Sequence, residues 1–374
     1  MINIKLEEIS IEITHACPNL CKFCSSTSYL PFEELDRMNS EIKYSDILLL
    51  MKQARESGAS ILSLSGGEPS IHPYIREILK YAGDLGYEVF YYTSGTRYNG
   101  VEKEELITLG EDFICDIKRL TNNKLRMIFD IQGCDEKSVD YLMGIDGAFE
   151  RLVRSIEDCR KNNIRIEGHL VPMNKNYRYI YETADFCEKI GLKKLSFLRA
   201  VPQGRMSDKN LMPSPQNFRD IIHILMNLYD DFERGRRKIE FRAGHPIKNF
   251  FALFDNKYEF SPCRGGSNAP LITPLGNCDM CPGWKNLKEY NAGNIIKDGF
   301  EKVWIDSNFF QTFRNFVKDG WKEMRGFCTE CPFLSQCRGA CTCQRIYYAG
   351  KGLSLKEALK VSPDPLCPYY NNFV

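Results

Sequence analysis

From Ile9 to Thr14 the chain reads Ile-Ser-Ile-Glu-Ile-Thr, an alternation of apolar and polar side chains that fits a half-buried strand. Five more runs of strand character follow within the first 200 residues: Ile61–Leu64, Glu88–Thr93, Arg126–Ile131, Arg165–Val171 and Lys194–Ala200. Between them, apolar positions return every three or four residues. Ile47, Leu50, Met51 and Ala54 form one helical stripe, with Ser45 or Asp46 expected as its cap and Gly58 as its end. Tyr74–Tyr81 with Leu85 gives a second, stopped by Gly86. Phe149–Asn162, with Leu152, Val153 and Ile156 inward, and Tyr179–Ile190, closed by Gly191, give two more.

Strands that alternate with helices predict an α/β fold, a parallel sheet joined by right-handed crossovers. Six such units predict an open, partial (β/α)6 barrel with its reactive groups on the loops after the strands. Past Arg205 the rhythm changes. Asn217–Phe232 predicts one more amphipathic helix, Arg234–Lys238 is a basic run, and from Ile239 the chain is rich in Cys, Gly, Pro and Asn. A boundary is expected near residue 238, with 1–238 as the barrel domain (bridge helix within 206–238). Residues 239–374 are expected to form a cysteine-rich domain that buries little apolar surface and is held by metal centres.

Composition narrows the function. A net charge of +1 on 374 residues gives no electrostatic case for nucleic acid or an anionic membrane as partner. The longest apolar runs, such as Ile47–Met51 and Ile221–Met226, are too short to span a bilayer. The first residues lack the basic and apolar regions of a signal peptide, so the expected location is cytoplasmic. Sixteen cysteines then change the picture, because in a reducing compartment short cysteine spacings point to metal or iron–sulfur centres. Twelve of them fall within 17–24 and 263–367, while Cys115, Cys134, Cys159 and Cys187 are scattered and expected as small buried side chains.

Cys17-x3-Cys21-x2-Cys24 directly follows the first expected strand. Three thiolates leave one iron of a cubane open to chelation. By spacing alone, a zinc loop completed by His15 is the alternative. The motif resembles the defining loop of radical S-adenosylmethionine (SAM) enzymes. That resemblance implies a [4Fe–4S] cluster whose open iron binds SAM and whose electron cleaves it to a 5′-deoxyadenosyl radical. Gly66-Gly67-Glu68-Pro69, after the second strand, resembles the family's Gly-Gly-Glu-Pro motif, in which glycines allow close approach and Glu68 accepts from the SAM ammonium. By the same resemblance Phe23, Ser94, Asp130, Gln132 and Arg199 are further expected SAM contacts.

Cys263-x12-Gly276-x4-Cys281, then Cys328-x2-Cys331-x5-Cys337-x3-Cys341 and finally Cys367, resemble the seven-cysteine SPASM extension. The resemblance implies two auxiliary [4Fe–4S] clusters, three clusters in all. Cys263, Cys281 and Cys341 would hold the first, its fourth ligand being Cys278, Cys343 or none. Cys328, Cys331, Cys337 and Cys367 would hold the second. A zinc-ribbon domain is the alternative for these spacings.

Such enzymes mostly modify peptides or proteins, so a crosslink or oxidation in ribosomal peptide maturation is the expected activity. The alternative is radical dehydrogenation of a small molecule such as an aminocyclitol alcohol. Expected partners are a peptide or protein substrate, a separate leader-recognition protein, and a reductant such as flavodoxin or ferredoxin. In sulfatase-maturing relatives an aspartate follows the cysteine matching Cys281 and acts as base; Pro282 stands there, and Asp279 is out of register.

Overall fold

Along β1 (Glu8–Glu12) Ile9 and Ile11 are fully buried on one face, and Ser10 and Glu12 lie on the other. The same alternation runs through β2 (Ile61–Ser65), β3 (Glu88–Thr93), β4 (Leu125–Asp130), β5 (Arg165–Leu170) and β6 (Lys194–Phe197). These are the six expected strands, parallel and side by side in chain order. The structure, a computed structural model, describes residues 6–26, 28–30, 40–99, 105–261, 263, 265–285, 287–350 and 352–374.

Three further strands extend the sheet. β7 (Glu240–Ala243) pairs in parallel with β6, beyond the expected boundary at 238. At the opposite edge β8 (Leu271–Ile272) lies parallel to β1, and β9 (Cys278–Asp279) is antiparallel to β8. The order is β9-β8-β1-β2-β3-β4-β5-β6-β7, so one open sheet draws on both sides of residue 238.

The outer face is apolar and carries the helices α1 (Tyr44–Glu56), α2 (Ile75–Asp84), α3 (Glu111–Leu120), α5 (Ala148–Lys161) and α6 (Ile180–Lys189), while α4 (Glu136–Met143) packs Val139, Leu142 and Met143 in a second, smaller cluster with Cys21 and Phe23. α1 buries Ile47, Leu50, Met51 and Ala54, as its pattern predicts, and each large aliphatic chain among them stabilises by about 1.5–3 kcal/mol. Its cap differs from the expectation. The helix begins at Tyr44 with Lys43 at the N-cap and no side-chain hydrogen bond, so Ser45 and Asp46 stand in the first turn. β6 stops at Phe197 rather than Ala200, because Arg199 turns away to meet Asp364.

The inner face is charged. At the N-terminal end of the strands Arg126 bridges Glu88 (2.5 Å) and Glu167 (2.9 Å), and Lys194 pairs with Glu240 (3.1 Å). Toward the C-terminal end, Asp130, His169, Ser196 and Arg242 are neighbours in register, and Tyr92 meets His169 edge-on at 5.3 Å. Ion pairs thus close one end of the inner face and leave ligand-type groups at the other.

The C-terminal segment departs from its expected poverty in apolar burial. α7 (Pro215–Glu233), capped by Ser214, and α8 (Ile247–Phe254) lead into it. α9 (Asn308–Lys318) buries Phe309, Phe310, Phe313 and Phe316 beside Trp284 and Trp304, an aromatic core of its own. α10 (Thr342–Ala349) completes it. Of the scattered cysteines, Cys159 and Cys187 are buried as expected, Cys134 is half-buried and Cys115 is exposed.

Burial beside Arg242 lowers the His169 ring to about 4. Above pH 6.5 the ring is neutral in both states. As pH falls toward 4 the unfolded chain takes up a proton that the native chain refuses, so about 3 kcal/mol of stability is lost over that window. His169→Gln should remove this part of the acid dependence, seen as a smaller difference between urea midpoints at pH 7 and pH 4.5.

Candidate active site

The cysteine loop after β1 is tied at its base, where Cys17 N–H donates to the Tyr29 carbonyl (2.9 Å) and Tyr29 N–H to the His15 carbonyl (3.2 Å). Arg205 clamps its middle. The guanidinium donates to the Cys21 carbonyl (2.7 Å), the Ser28 carbonyl (3.0 Å) and Ser28 Oγ (2.8 Å), and its own amide donates to the Cys24 carbonyl (3.0 Å). Gly204, at φ +58°, lies where a Cβ would stand 2.6 Å from that carbonyl. On the other flank Lys22 N–H reaches the Leu142 carbonyl and Cys21 Sγ lies 3.7 Å from Met143 Sδ. Cys17 and Cys21 are buried, Cys24 half-buried. His15, the zinc alternative's fourth ligand, faces Glu41, with Nδ1 at 3.6 Å.

Gly66 and Gly67 serve the protein backbone. A Cβ on Gly67 would stand 2.1 Å from the Ala16 carbonyl, and one on Gly66 2.4 Å from that of Thr14. Gly67 N–H donates to Thr14 O (2.6 Å) and Glu68 N–H to Ala16 O (2.9 Å), which fixes the end of β2 against the cysteine loop. Glu68 is fully buried. It accepts from the amides and hydroxyls of Ser70 and Ser94 and from Thr93 Oγ1, at 2.9–3.2 Å, and joins the ends of β2 and β3. Desolvation raises its pKa despite these donors. Pro69, buried, opens the short turn after it.

The remaining expected contacts divide. Asp130 ends β4 on the inner face, and desolvation, with Glu68 adding, lifts its carboxyl to about 7. Gln132 is fully buried; Oε1 accepts from Val171 N–H (3.3 Å), while Nε2 has no partner among the described residues. Phe23 packs with Val139, Leu142, Met143, Met173 and Met206 in a small apolar cluster at the mouth. Arg199 departs from its expected place. Both terminal nitrogens are taken by Asp364 (2.5 and 2.6 Å), so a protein carboxylate occupies the fork expected to meet SAM.

The second cysteine group forms two quartets. Cys341 Sγ and Cys343 Sγ lie 3.3 Å apart. A Cβ on Gly283 would fall 2.4 Å from Cys343 Sγ and 3.6 Å from Cys281 Sγ, and one on Gly265 3.5 Å from Cys263 Sγ. Of the two expected fourth ligands, Cys343 therefore stands with Cys263, Cys281 and Cys341. Cys278 is buried in the core on the other side, where the charged neighbours acting on it are Asp279 and Arg314. Cys328, Cys331, Cys337 and Cys367 line one small, partly open cavity with Phe333, Tyr369 and Asp364.

Sequence reasoning missed a polar seam between the two segments. Lys285 Nζ donates to Glu12 Oε1 (2.7 Å) and Ser26 Oγ (2.5 Å), joining the C-terminal segment to β1 and to the cysteine loop. Asp279, raised to about 7 by burial, faces the same pair. Gln203 Nε2 donates to the Pro282 carbonyl nearby. The sequence signal for Arg205 was its place in the Pro202–Arg205 turn after the last barrel strand. For Lys285 it was four residues past a cysteine, with no motif around it.

Comparison with known proteins agrees with this geometry. Residues 11–187 match the model of the radical SAM superfamily, and residues 263–332 match that of an iron–sulfur cluster-binding domain, SPASM. An AdoMet-dependent heme synthase of Methanosarcina barkeri is 26% identical over 378 residues, 96% of each chain. A PqqA peptide cyclase of Methylorubrum extorquens is 22% identical over 356 residues, 94% of this chain and 84% of the relative. The fold is also that of Streptococcus suis SuiB, solved with its precursor peptide SuiA: TM-score 0.74, 18% identity, 98% of this chain and 77% of the other.

Arg205→Ala removes three hydrogen bonds from a charged donor, and local opening of the loop should become easier by about 2 kcal/mol. Amides of residues 17–28 should exchange hydrogen roughly 30-fold faster, with amides in β3 and β4 unchanged.

Proposed function

We propose, from the premise that this chain belongs to the radical SAM superfamily and carries a C-terminal SPASM domain, that it is an oxidoreductase acting on a peptide or protein substrate. Residues 1–238 would build the SAM site and 239–374 the auxiliary sites, with substrate recognition from the bridge 206–262 or from a separate leader-binding protein. Cys17, Cys21 and Cys24 would hold the SAM-binding cluster. Cys263, Cys281, Cys341 and Cys343 would hold the first auxiliary cluster, and Cys328, Cys331, Cys337 and Cys367 the second. When bound, the clusters supply single electrons and SAM supplies the radical that removes a substrate hydrogen.

The protein's own part is placement. Arg205 and the Gly66-Gly67 contact hold the cysteine loop at the strand ends. Gln132, with its buried free Nε2, and Asp130 offer a donor and an acid for the polar groups of SAM. Phe23 sits in the apolar cluster that an adenine ring would meet. Glu68 holds the ends of β2 and β3 in place, so whatever ligand it receives adds to donors already there. Lys285, Glu12 and Asp279 form a buried polar seam that joins the C-terminal segment to β1.

The observation that carries the peptide reading is the pair of complete cysteine quartets, because the two-cluster form goes with peptide modification in the branch this chain resembles. A small-molecule substrate is the second reading. It is favoured by the heme synthase relative, matched across 96% of both chains. A low-potential protein such as flavodoxin or ferredoxin is the proposed reductant.

Anaerobically purified protein should carry roughly twelve irons per chain, as three cubanes need. Cys343→Ala should lower that by about four, and Cys278→Ala should leave it unchanged; equal iron in both variants would remove Cys343 from the ligand set. With dithionite and SAM, the wild type should release 5′-deoxyadenosine and Cys17→Ala should release none. A short peptide encoded beside the gene should lose the mass of two hydrogens, whereas turnover of a small alcohol or tetrapyrrole alone would favour the second reading.

A further inference from the structure

Two buried arginines lie beside the cysteine quartets. Arg199, at the end of β6, spends Nη1 and Nη2 on Asp364, and the thiols of Cys341 and Cys343 lie close enough to act on its charge. Arg345, on α10, has no exposed surface. Its Nη1 donates to the Leu359 (2.9 Å) and Val361 carbonyls and its Nη2 to Thr342 Oγ1 (3.2 Å). Its guanidinium carbon lies 3.2 Å from where a Cβ on Gly339 would stand, inside the turn between Cys337 and Cys341. The charged neighbours around it are Cys328 and Cys337 of one quartet, Cys341 of the other, and Asp364. Asp364 itself lines the cavity of Cys328, Cys331, Cys337 and Cys367.

The charges do not balance within the protein. Two guanidinium cations face one carboxylate, and His245, which also lies within reach of Asp364 and Arg199, adds no anion. Burying an unpaired cation costs several kcal/mol, so such a group persists where a further anion compensates it. Each arginine also keeps a buried Nε–H without a partner among the described residues. The groups that face this excess charge from both sides are the sulfurs of the quartets. A thiolate-ligated iron–sulfur centre becomes more negative when reduced. A fixed cation beside it therefore favours the reduced state and raises the reduction potential.

We propose that Arg345 and Arg199, balanced by Asp364, are positioning residues that set the reduction potentials of both auxiliary centres together. The proposal rests on the reading that the two quartets hold iron–sulfur clusters. Because Arg345 has neighbours in both quartets, it shifts both potentials in the same direction and keeps the two sites matched as electron acceptors. Asp364 acts with opposite sign, since it cancels part of the cationic charge.

The test is a potentiometric titration of the anaerobically purified, iron-loaded full chain, followed by electron paramagnetic resonance. Arg345→Met should lower the reduced fraction of the auxiliary centres at a fixed potential at least tenfold, a shift of ~59 mV for a one-electron couple. Asp364→Asn should shift it the other way, and Arg345→Lys, which keeps the charge, should stay near wild type. If Arg345→Met fails to retain iron, Asp364→Asn and Arg345→Lys carry the test. A merely structural role would not produce shifts of opposite sign. Iron-replete Arg345→Met and Asp364→Asn proteins with wild-type potentials, or shifts of the same sign, would overturn the proposal while leaving the cluster assignment intact. Wild-type protein with only about four irons and no second reducible centre would overturn the cluster reading, and this inference with it.

Discussion

Two backbone hydrogen bonds, from Gly67 to Thr14 and from Glu68 to Ala16, hold the site together. They exist because positions 66 and 67 carry no side chain, so the end of β2 can lie against the chain entering the cysteine loop at a distance no Cβ would permit. The loop is thereby registered on the sheet rather than suspended from it. Glu68, placed by the same contact, reaches the end of β3 and fixes that strand's turn as well. Arg205 then closes the arrangement from the far edge of the six-strand array. Most of these contacts use main-chain atoms of the loop, so the three sulfurs are positioned largely by backbone geometry.

The six strands were legible because each is a short run of strand-forming residues and most are followed by a helical stripe; α3 and α4, between the third strand and α5, were not foreseen. Hydrophobic period is a local property that survives the fold. The three cysteines and Gly66–Pro69 were legible for a different reason: their residue types and spacing are chemically rare. What pattern did not convey was partnership across long separations. Arg199 and Arg205 are six residues apart just after β6, yet one pairs with Asp364 and the other holds residues 21–28. Nothing in the local sequence distinguishes them. The choice between Cys278 and Cys343 was likewise open, because β9 turns the first toward the core whereas α10 carries the second back to Cys341.

The aromatic core of the C-terminal segment was a misreading with a recoverable cause. Phe309, Phe310, Phe313 and Phe316 follow helical spacing, and that stripe predicts α9. Composition outweighed period, since glycine, proline and cysteine on either side suggested a segment that metal alone would order. The packed tryptophans and phenylalanines instead give it a framework on which the quartets are mounted. The expected capping of α1 failed for a smaller reason: the helix begins two to three residues earlier than a Ser45 or Asp46 cap would give, which moves both residues inside it.

The short β8 has a consequence for how the molecule is made. It pairs with β1, more than 250 residues earlier in the chain. During synthesis this strand thus presents its outer edge, a row of unsatisfied amides and carbonyls, until more than 250 further residues have been made. Closing that edge fixes a very long loop, which makes it a slow, late event. A chain cut short before Leu271 would keep the edge open and be prone to join other chains through it. The cysteine-rich segment is in this sense the barrel's own chaperone, shielding its oldest strand from its neighbours in the cell.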